Sequence, residues 1–338
     1  DPDWKIYGAG ITITGPTLRV MKRLEILDGV MTEGWTADGL LVCNAAGEVV
    51  TEIKTSAHTL EGLPGAGGIM RPILHRLLTE RIRGAGIEVT LGISVSSIGK
   101  GLPKQVVFSD GKEGTYDLVV GADGIFSSTR GMVFPELPAP HYVGQVCWRL
   151  MSRRHPKIVR RTYFLGGPMK VGMNPVSSDN MYMFLLEPVK KFERVADDQL
   201  HTRLAALMGG YEGIVADIRA ELSPDSMIVA RPLETVFVPK PWHRDGVVLI
   251  GDAAHATTPQ LASGAGMAME DGVVLGECIA QADTLAEALE NFTLRRFDRC
   301  SLVVESSLKL GQLERQGSTP VEQVKVVEAA LEKLNEPY

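Results

Sequence analysis

Two stretches of this chain have residue types and spacing suited to holding a polar, flat ligand. In the first, Val247 to Ile250 are four β-preferring apolar residues that stop at Gly251-Asp252, and Gly264-Ala265-Gly266-Met267 then opens an apolar segment reaching Ala280. An acidic residue at the carboxyl end of a buried strand, with a helix start aimed back at it, is how α/β proteins grip a polar cofactor. Asp252 would accept hydrogen bonds from sugar-like hydroxyls. Gly264 and Gly266 would let a planar ring approach the backbone, and the helix N-terminus favours negative charge on that ring. On spacing alone, an ordinary strand-loop-helix turn stays open as the alternative. The second stretch, Gly121 to Arg130, reads Asp-Gly-x-x-Ser-x-x-Arg from Asp123 and also closes a strand.

The elements that must position these turns are legible from periodicity. Gly15-Pro16 opens a helix with the stripe Leu18, Met21, Leu24 and Leu27, and Pro costs little in a first turn. Leu40 to Ile53 reads as a hairpin with its turn at Asn44-Ala-Ala-Gly47. Gly62 to Gly68 reads as a flexible loop, and Arg71 to about Arg83 as a helix. Ile87 to Leu91 reads as a strand, and the hairpin turn Ser109 to Lys112 feeds a buried strand at Tyr116 to Val120. From about 140 to 236 the texture changes to short strands: Val143 to Leu150, Arg161 to Leu165, Lys170 to Pro175, Met181 to Leu186 and Met227 to Val236. Two helices, at about 197–209 and 211–220, interrupt them. Leu285 to Glu314 and Pro320 to Leu334 are helical. The predicted class is α/β: a three-layer Rossmann-like domain (1–135 with 237–284) interrupted by a β-rich, antiparallel substrate domain (136–236), followed by C-terminal helices (285–338).

Composition narrows the function. The 338 residues, 44% hydrophobic and 22% charged, suffice for two domains and a large core. A net charge of −6 and a pI near 5.7 argue against a nucleic-acid surface. Cys43, Cys147, Cys278 and Cys300 are far apart, with no CxxC, so no metal site or disulfide framework is expected and a reducing cytoplasm is. No apolar run has the roughly 18 residues of a membrane span. The phosphate-loop signature, HExxH and GxSxG do not occur.

Both turns, in this order, resemble the group A flavoprotein monooxygenases, the FAD-dependent aromatic hydroxylases built like p-hydroxybenzoate hydroxylase. The Arg71 helix with Leu74, Leu77 and Leu78 is similar to the family's Arg-x-x-Leu helix, and Trp148-Arg149 to its Trp-Arg strand. The resemblance runs from Asp1 to about Glu314. It departs at the start: the family opens with a βαβ unit carrying GxGxxG, which does not occur here beyond the fragments Gly8-Ala-Gly10 and Gly65-Ala-Gly-Gly68. A preceding segment is therefore expected.

The resemblance implies an enzyme in which NADH or NADPH reduces FAD, O2 adds at the flavin C4a, and one oxygen passes to an electron-rich phenolic or benzoate-like ring. It implies that Asp252 holds the ribityl chain and that Pro259, Gly264, Ala265, Gly266 and Met267 border the ring. Arg71 is placed at the phosphates or ribityl region, Asp123 at a loop serving FAD and NAD(P)H with Arg130 paired to that loop, and Arg19 at the adenosine side or in solvent. His255, whose ordinary pKa invites a general-base role, is better read as part of the motif. Candidates for the substrate wall are Arg149, Tyr163, Met173, Tyr182 and Phe237, with Cys147 and Met183 beside them; plain core is the alternative for the Met and aromatic positions. The partners implied are a small aromatic substrate and O2, with the C-terminal helices serving a homodimer or covering the sheet. Two other readings stay open: a same-fold epoxidase or reductase, and a non-catalytic binder of aromatic ligands.

Overall fold

The computed structural model describes residues 2–4, 9–55 and 62–338; the readings on Asp1, Tyr7 and Gly8 lie outside them. Strand β1 (Gly10–Thr14) enters helix α1 (Gly15–Arg23), which buries Leu18, Val20 and Met21. The apolar stripe reads as one helix through Leu27, but Glu25 adopts φ 57° and breaks it, so α2 (Leu27–Glu33) turns away. β2 (Trp35–Thr36) follows, then the expected hairpin of β3 (Leu40–Cys43) and β4 (Val49–Ile53).

The expected loop at 62–68 is corrected: Ala66–Met70 is a strand, β5, lying between β1 and β2. Its glycines serve close packing. A Cβ on Gly68 would sit 2.3 Å from the Pro175 carbonyl oxygen, and one on Gly67 2.7 Å from that of Trp35. Helix α3 (Arg71–Gly84) follows directly. The strand expected at Ile87 to Leu91 is also corrected, because those residues are exposed and unpaired and the pairing falls to β6 (Val95–Ile98). β7 (Lys104–Phe108) and β8 (Glu113–Tyr116) complete a small meander, and β9 (Val119–Gly121) leaves it. Tyr116 and Val120 are exposed rather than buried, since β8 and β9 are each edge strands of their sheets. Helix α4 (Ser128–Val133) comes next.

The β-rich segment contributes β10 (His141–Arg153), β11 (Arg161–Phe164), β12 (Lys170–Pro175), β13 (Asn180–Pro188), α5 (Leu200–Leu207), α6 (Ile214–Ala220) and β14 (Met227–Thr235). Its sheet has seven strands, in the order β14-β10-β13-β12-β11-β3-β4. The sheet therefore reaches beyond the expected boundary at 136 to recruit residues 40–53, and the β11–β3 junction is parallel in an otherwise antiparallel array. Side chains alternate between its two faces. Met173, Met181, Met183 and Trp148 pack with α5 and α6, whereas Cys147, Tyr163, Tyr182 and Phe184 face the other core.

The chain returns through β15 (His243–Arg244) and β16 (Val247–Leu249), which pairs in parallel with β9. Then come α7 (Asp252–His255), α8 (Gly264–Gln281), α9 (Leu285–Arg315) and α10 (Pro320–Leu334), the last opened by a capping box between Thr319 and Glu322. No helix among the described residues is long and apolar enough to cross a membrane.

Candidate active site

The parallel pair β9 and β16 brings the two turns side by side. At the end of β16, Gly251 takes φ 56° and ψ −142°, a conformation open essentially to glycine alone. Its N–H donates to Asp271 Oδ2 at 2.8 Å, which fixes the turn from below. The following residue, Asp252, projects into a cavity of about 380 Å³, and its carboxylate has no hydrogen-bond partner among the described residues. Although Asp252 is solvent-exposed, the protein atoms crowded round its carboxyl displace enough water to push it up from its ordinary value, with His255 and Arg71 pulling the other way.

A raised folded-state pKa means that the folded chain holds its proton more tightly than the unfolded chain. The ionised group then opposes folding as pH rises through that pKa. Asp252→Asn should therefore raise the melting temperature of cofactor-free protein at neutral pH. The gain should vanish in acid, below both pKa values, as a thermal scan across pH would read. A variant that melts lower at neutral pH would contradict this.

Asp123 acts differently. Its carboxylate accepts from the Ser127 and Ser128 hydroxyls and from the Thr129 N–H at 2.9 Å, so it is consumed in holding its own loop. Burial works against its charge, but the Ser127 hydroxyl and Thr129 N–H outweigh burial and keep its pKa below the ordinary value. Arg130 is expected to pair with this loop, and it does so through Ile125 O. It also donates to Ala253 O at 2.9 Å, which fastens the Asp123 turn to the Asp252 turn. Nothing in the local pattern reveals that second contact, because it spans 123 residues.

Pro259, Gly264 and Ala265 line the cavity, as does Arg71, whose guanidinium has no hydrogen bond or ion pair among the described residues. The N–H groups of Gly264, Ala265 and Gly266 are likewise unpaired, as first-turn groups are. Two expectations are corrected here. The Met267 N–H is already spent on Ser263 O, and its side chain is core. Gly266 keeps α8 against α1, since a Cβ there would sit 2.2 Å from Thr17 Oγ1; it does not line the cavity. Arg19 is corrected as well. Its guanidinium donates to the carbonyls of Leu334, Asn335 and Glu336 and stacks on Tyr338, so it tethers the end of α10.

The far wall of the cavity comes from the seven-stranded sheet. Arg149 Nε donates to the Tyr182 hydroxyl at 3.3 Å, with no carboxylate partner for this arginine among the described residues. Burial pushes the Tyr182 phenol up to about 12, so it stays neutral and its own proton is free to donate. Tyr163 stands edge-on to Phe184 at 5.8 Å, and Phe184 lies 6.0 Å from Tyr182. Arg149, Tyr163 and Tyr182 therefore face the cavity as expected, but Met173 and Phe237 do not. Met173 has the opposite strand parity and packs with Met183 in the other core. Phe237 packs edge-on to Trp242 and tilted against Phe297. Phe184, Thr257 and Thr258 were missed; Phe184 was findable two residues after Tyr182 on the same strand.

His255 belongs to neither wall. It is buried, with Nε2 2.6 Å from Asp271 Oδ2, and Arg296 Nε donates to Asp271 Oδ1 at 2.8 Å. The His255, Asp271 and Cys300 ligand atoms lie within 4.8 Å of one another. Arg296 already occupies the carboxylate, so the group is an ion-pair network rather than a cradle for a cation.

Comparison with known proteins adds four findings. Residues 6–306 match the family described as FAD binding domain. The 2-heptyl-3-hydroxy-4(1H)-quinolone synthase of Pseudomonas aeruginosa is 33% identical over 314 residues, covering 90% of this chain and 79% of that protein. The 6-hydroxynicotinate 3-monooxygenase of Pseudomonas fluorescens is 27% identical, covering 89% and 81%. Among solved structures, Klebsiella pneumoniae HpxO complexed with FAD and uric acid shares the fold at a TM-score of 0.83 and 24% identity, covering 98% of this chain and 85% of that one.

Proposed function

From the premise that this chain belongs to the FAD-binding-domain family of group A flavoprotein monooxygenases, we propose that it hydroxylates a small acidic or phenolic aromatic compound, using NADH or NADPH and O2. The observation that supports this most directly is one cavity with two chemically distinct ends. Among the described residues, one end offers an unpartnered carboxylate, the two unpaired N–H groups of Gly264 and Ala265 and a guanidinium without a partner; the other offers an aromatic wall with Arg149 and Tyr182.

The first end fits the ribityl chain and ring of FAD. Asp252 would accept from the ribityl hydroxyls. The Gly264 and Ala265 N–H groups would face a ring that carries negative charge when reduced. Bound FAD supplies the redox chemistry that takes hydride from the nicotinamide and activates O2. The chain's own residues hold, orient and shield. Arg130 keeps the two turns in register, and the Tyr163, Phe184 and Tyr182 rings exclude water from the reacting ring. Arg149 and the Tyr182 hydroxyl both donate, which suits a carboxylate or phenolate on the substrate. The chain divides, in this reading, into an FAD-binding unit, a substrate sheet and C-terminal helices, with the substrate held between the first two.

The test is an oxidised-flavin spectrum on purified protein supplemented with FAD, followed by substrate-stimulated NAD(P)H oxidation over a panel of phenols and benzoates with product analysis. Protein that stays colourless with FAD, or consumption that yields only peroxide across the panel, would overturn the reading. Arg149→Met should raise KM for an accepted acidic substrate about 10- to 100-fold, the worth of a hydrogen bond to a charged group, with FAD content unchanged. An unchanged KM would remove Arg149 from substrate binding.

A further inference from the structure

Behind the cavity lies a buried polar cluster that none of the roles above uses. Glu314, near the end of α9, and Lys170, at the start of β12, are 5% and 3% exposed, with Lys170 Nζ 3.1 Å from Glu314 Oε1. The other carboxylate oxygen accepts from Gln145 Nε2 at 3.0 Å and from Gln260 Nε2 at 3.2 Å, and Gln260 Nε2 also reaches Gln145 Oε1 at 3.1 Å. Each end of this chain of contacts adjoins a residue that lines the cavity. Lys170 Nζ stands 4.4 Å over the ring of Tyr163, on the sheet wall. Gln260 directly follows Pro259, on the opposite wall.

We infer that Gln145, Gln260, Glu314 and Lys170 form a latch that sets the spacing between the Pro259 turn and the Tyr163 wall. Lys170 and Glu314 are then positioning residues for the ring-binding gap. Gly311 argues for a built feature. Glycine weakens a helix interior, yet a Cβ at 311 would lie 2.8 Å from Gln145 Oε1 and 3.2 Å from Gln260 Nε2. The glycine makes room for the two amides. Gln260 Oε1 is buried without a hydrogen-bond partner among the described residues, a cost that a purely structural fastening has no reason to keep.

The inference rests on the cavity being the FAD and substrate site, and its test is arranged so that the two readings fail separately. Two variants displace the latch while sparing the fold. Lys170→Met with Glu314→Gln removes the buried pair whole, a change that is often neutral or stabilising, whereas removing one partner is not. Gly311→Ala gains helix propensity and pushes the amides aside. Each variant should melt at or above the wild-type temperature. In cofactor-free protein, the Ala262 amide, which donates to Pro259 O, should exchange its hydrogen about tenfold faster or more. In FAD-loaded protein, hydroxylated product per NAD(P)H consumed should fall about tenfold, as expected for a reacting pair misplaced by a fraction of an ångström. Unchanged exchange at Ala262 in both variants overturns the latch, whether or not FAD binds. Wild-type coupling in a double variant that melts at or above the wild-type temperature overturns it too. Failure of the wild-type protein to bind FAD defeats the proposed function alone, because the exchange measurement still judges the latch.

Discussion

Asp271→Asn is expected to lower stability by about 3–5 kcal/mol, the cost of removing one partner from a buried ion pair. That is a large share of the 5–15 kcal/mol typical of a folded domain. The carboxylate is fully buried and holds three groups: His255 Nε2 and the Gly251 N–H on one oxygen, and Arg296 Nε on the other. Arg296 Nη1 lies 2.8 Å from Glu270, which also binds Arg299, so the network carries α8 and α9 together. Asparagine keeps the shape but leaves two buried arginines, Arg296 and Arg299, to share the single carboxylate of Glu270, and it offers an amide where two donors need acceptors.

Burial opposes the imidazolium, but Cys300 and Asp271 hold the His255 pKa well above its ordinary value. Burial likewise opposes the Asp271 carboxylate, and His255 with Arg296 holds that pKa below its ordinary value. The His255 contribution is thus complete below its unfolded pKa of about 6.5 and lost as pH rises through the folded one. The Asp271 contribution is present above about 3.9 and lost as pH falls through its own folded value. Urea unfolding midpoints across pH should show a wild-type plateau between these limits and a lower, flatter profile in Asp271→Asn. Equal midpoints in the two proteins would show that the network contributes nothing net.

Asp252→Ala should weaken FAD binding more than Asp123→Ala does. The Asp252 carboxylate faces the cavity unspent, whereas that of Asp123 is committed to Ser127, Ser128 and Thr129. Loss of a charge-assisted contact to the ribityl hydroxyls predicts FAD affinity about 10- to 100-fold weaker in Asp252→Ala. Thermal stability of the cofactor-free form should be unchanged or higher. Asp123→Ala should instead cost about 1–2 kcal/mol by loosening the start of α4, with smaller loss of FAD. Flavin fluorescence titration of both variants separates the roles; equal FAD affinities would sink the assignment of Asp252.

The sequence by itself determined the two turns and the elements around them. Gly251-Asp252 and Asp123-Gly124 are local: a glycine able to take φ 56°, an acid beside it, and a strand and helix legible from period 2 and period 3.6. The helices beginning at Gly264, Leu285 and Pro320, and the strands at Lys170 and Met227, start where their residues suggest. Tertiary structure decided what periodicity cannot carry. Which face of a strand meets the cavity depends on sheet register, and parity sends Met173 into one core and Tyr182 into the other. Whether a glycine serves a ligand or a neighbouring helix depends on what lies opposite, and Thr17 claims Gly266. The destination of a long cationic side chain depends on distant carbonyls, so Arg19 reaches the end of α10 and Arg130 reaches Ala253. The Lys170–Glu314 pair joins residues 144 positions apart, and only the packing of α9 against the sheet brings them together.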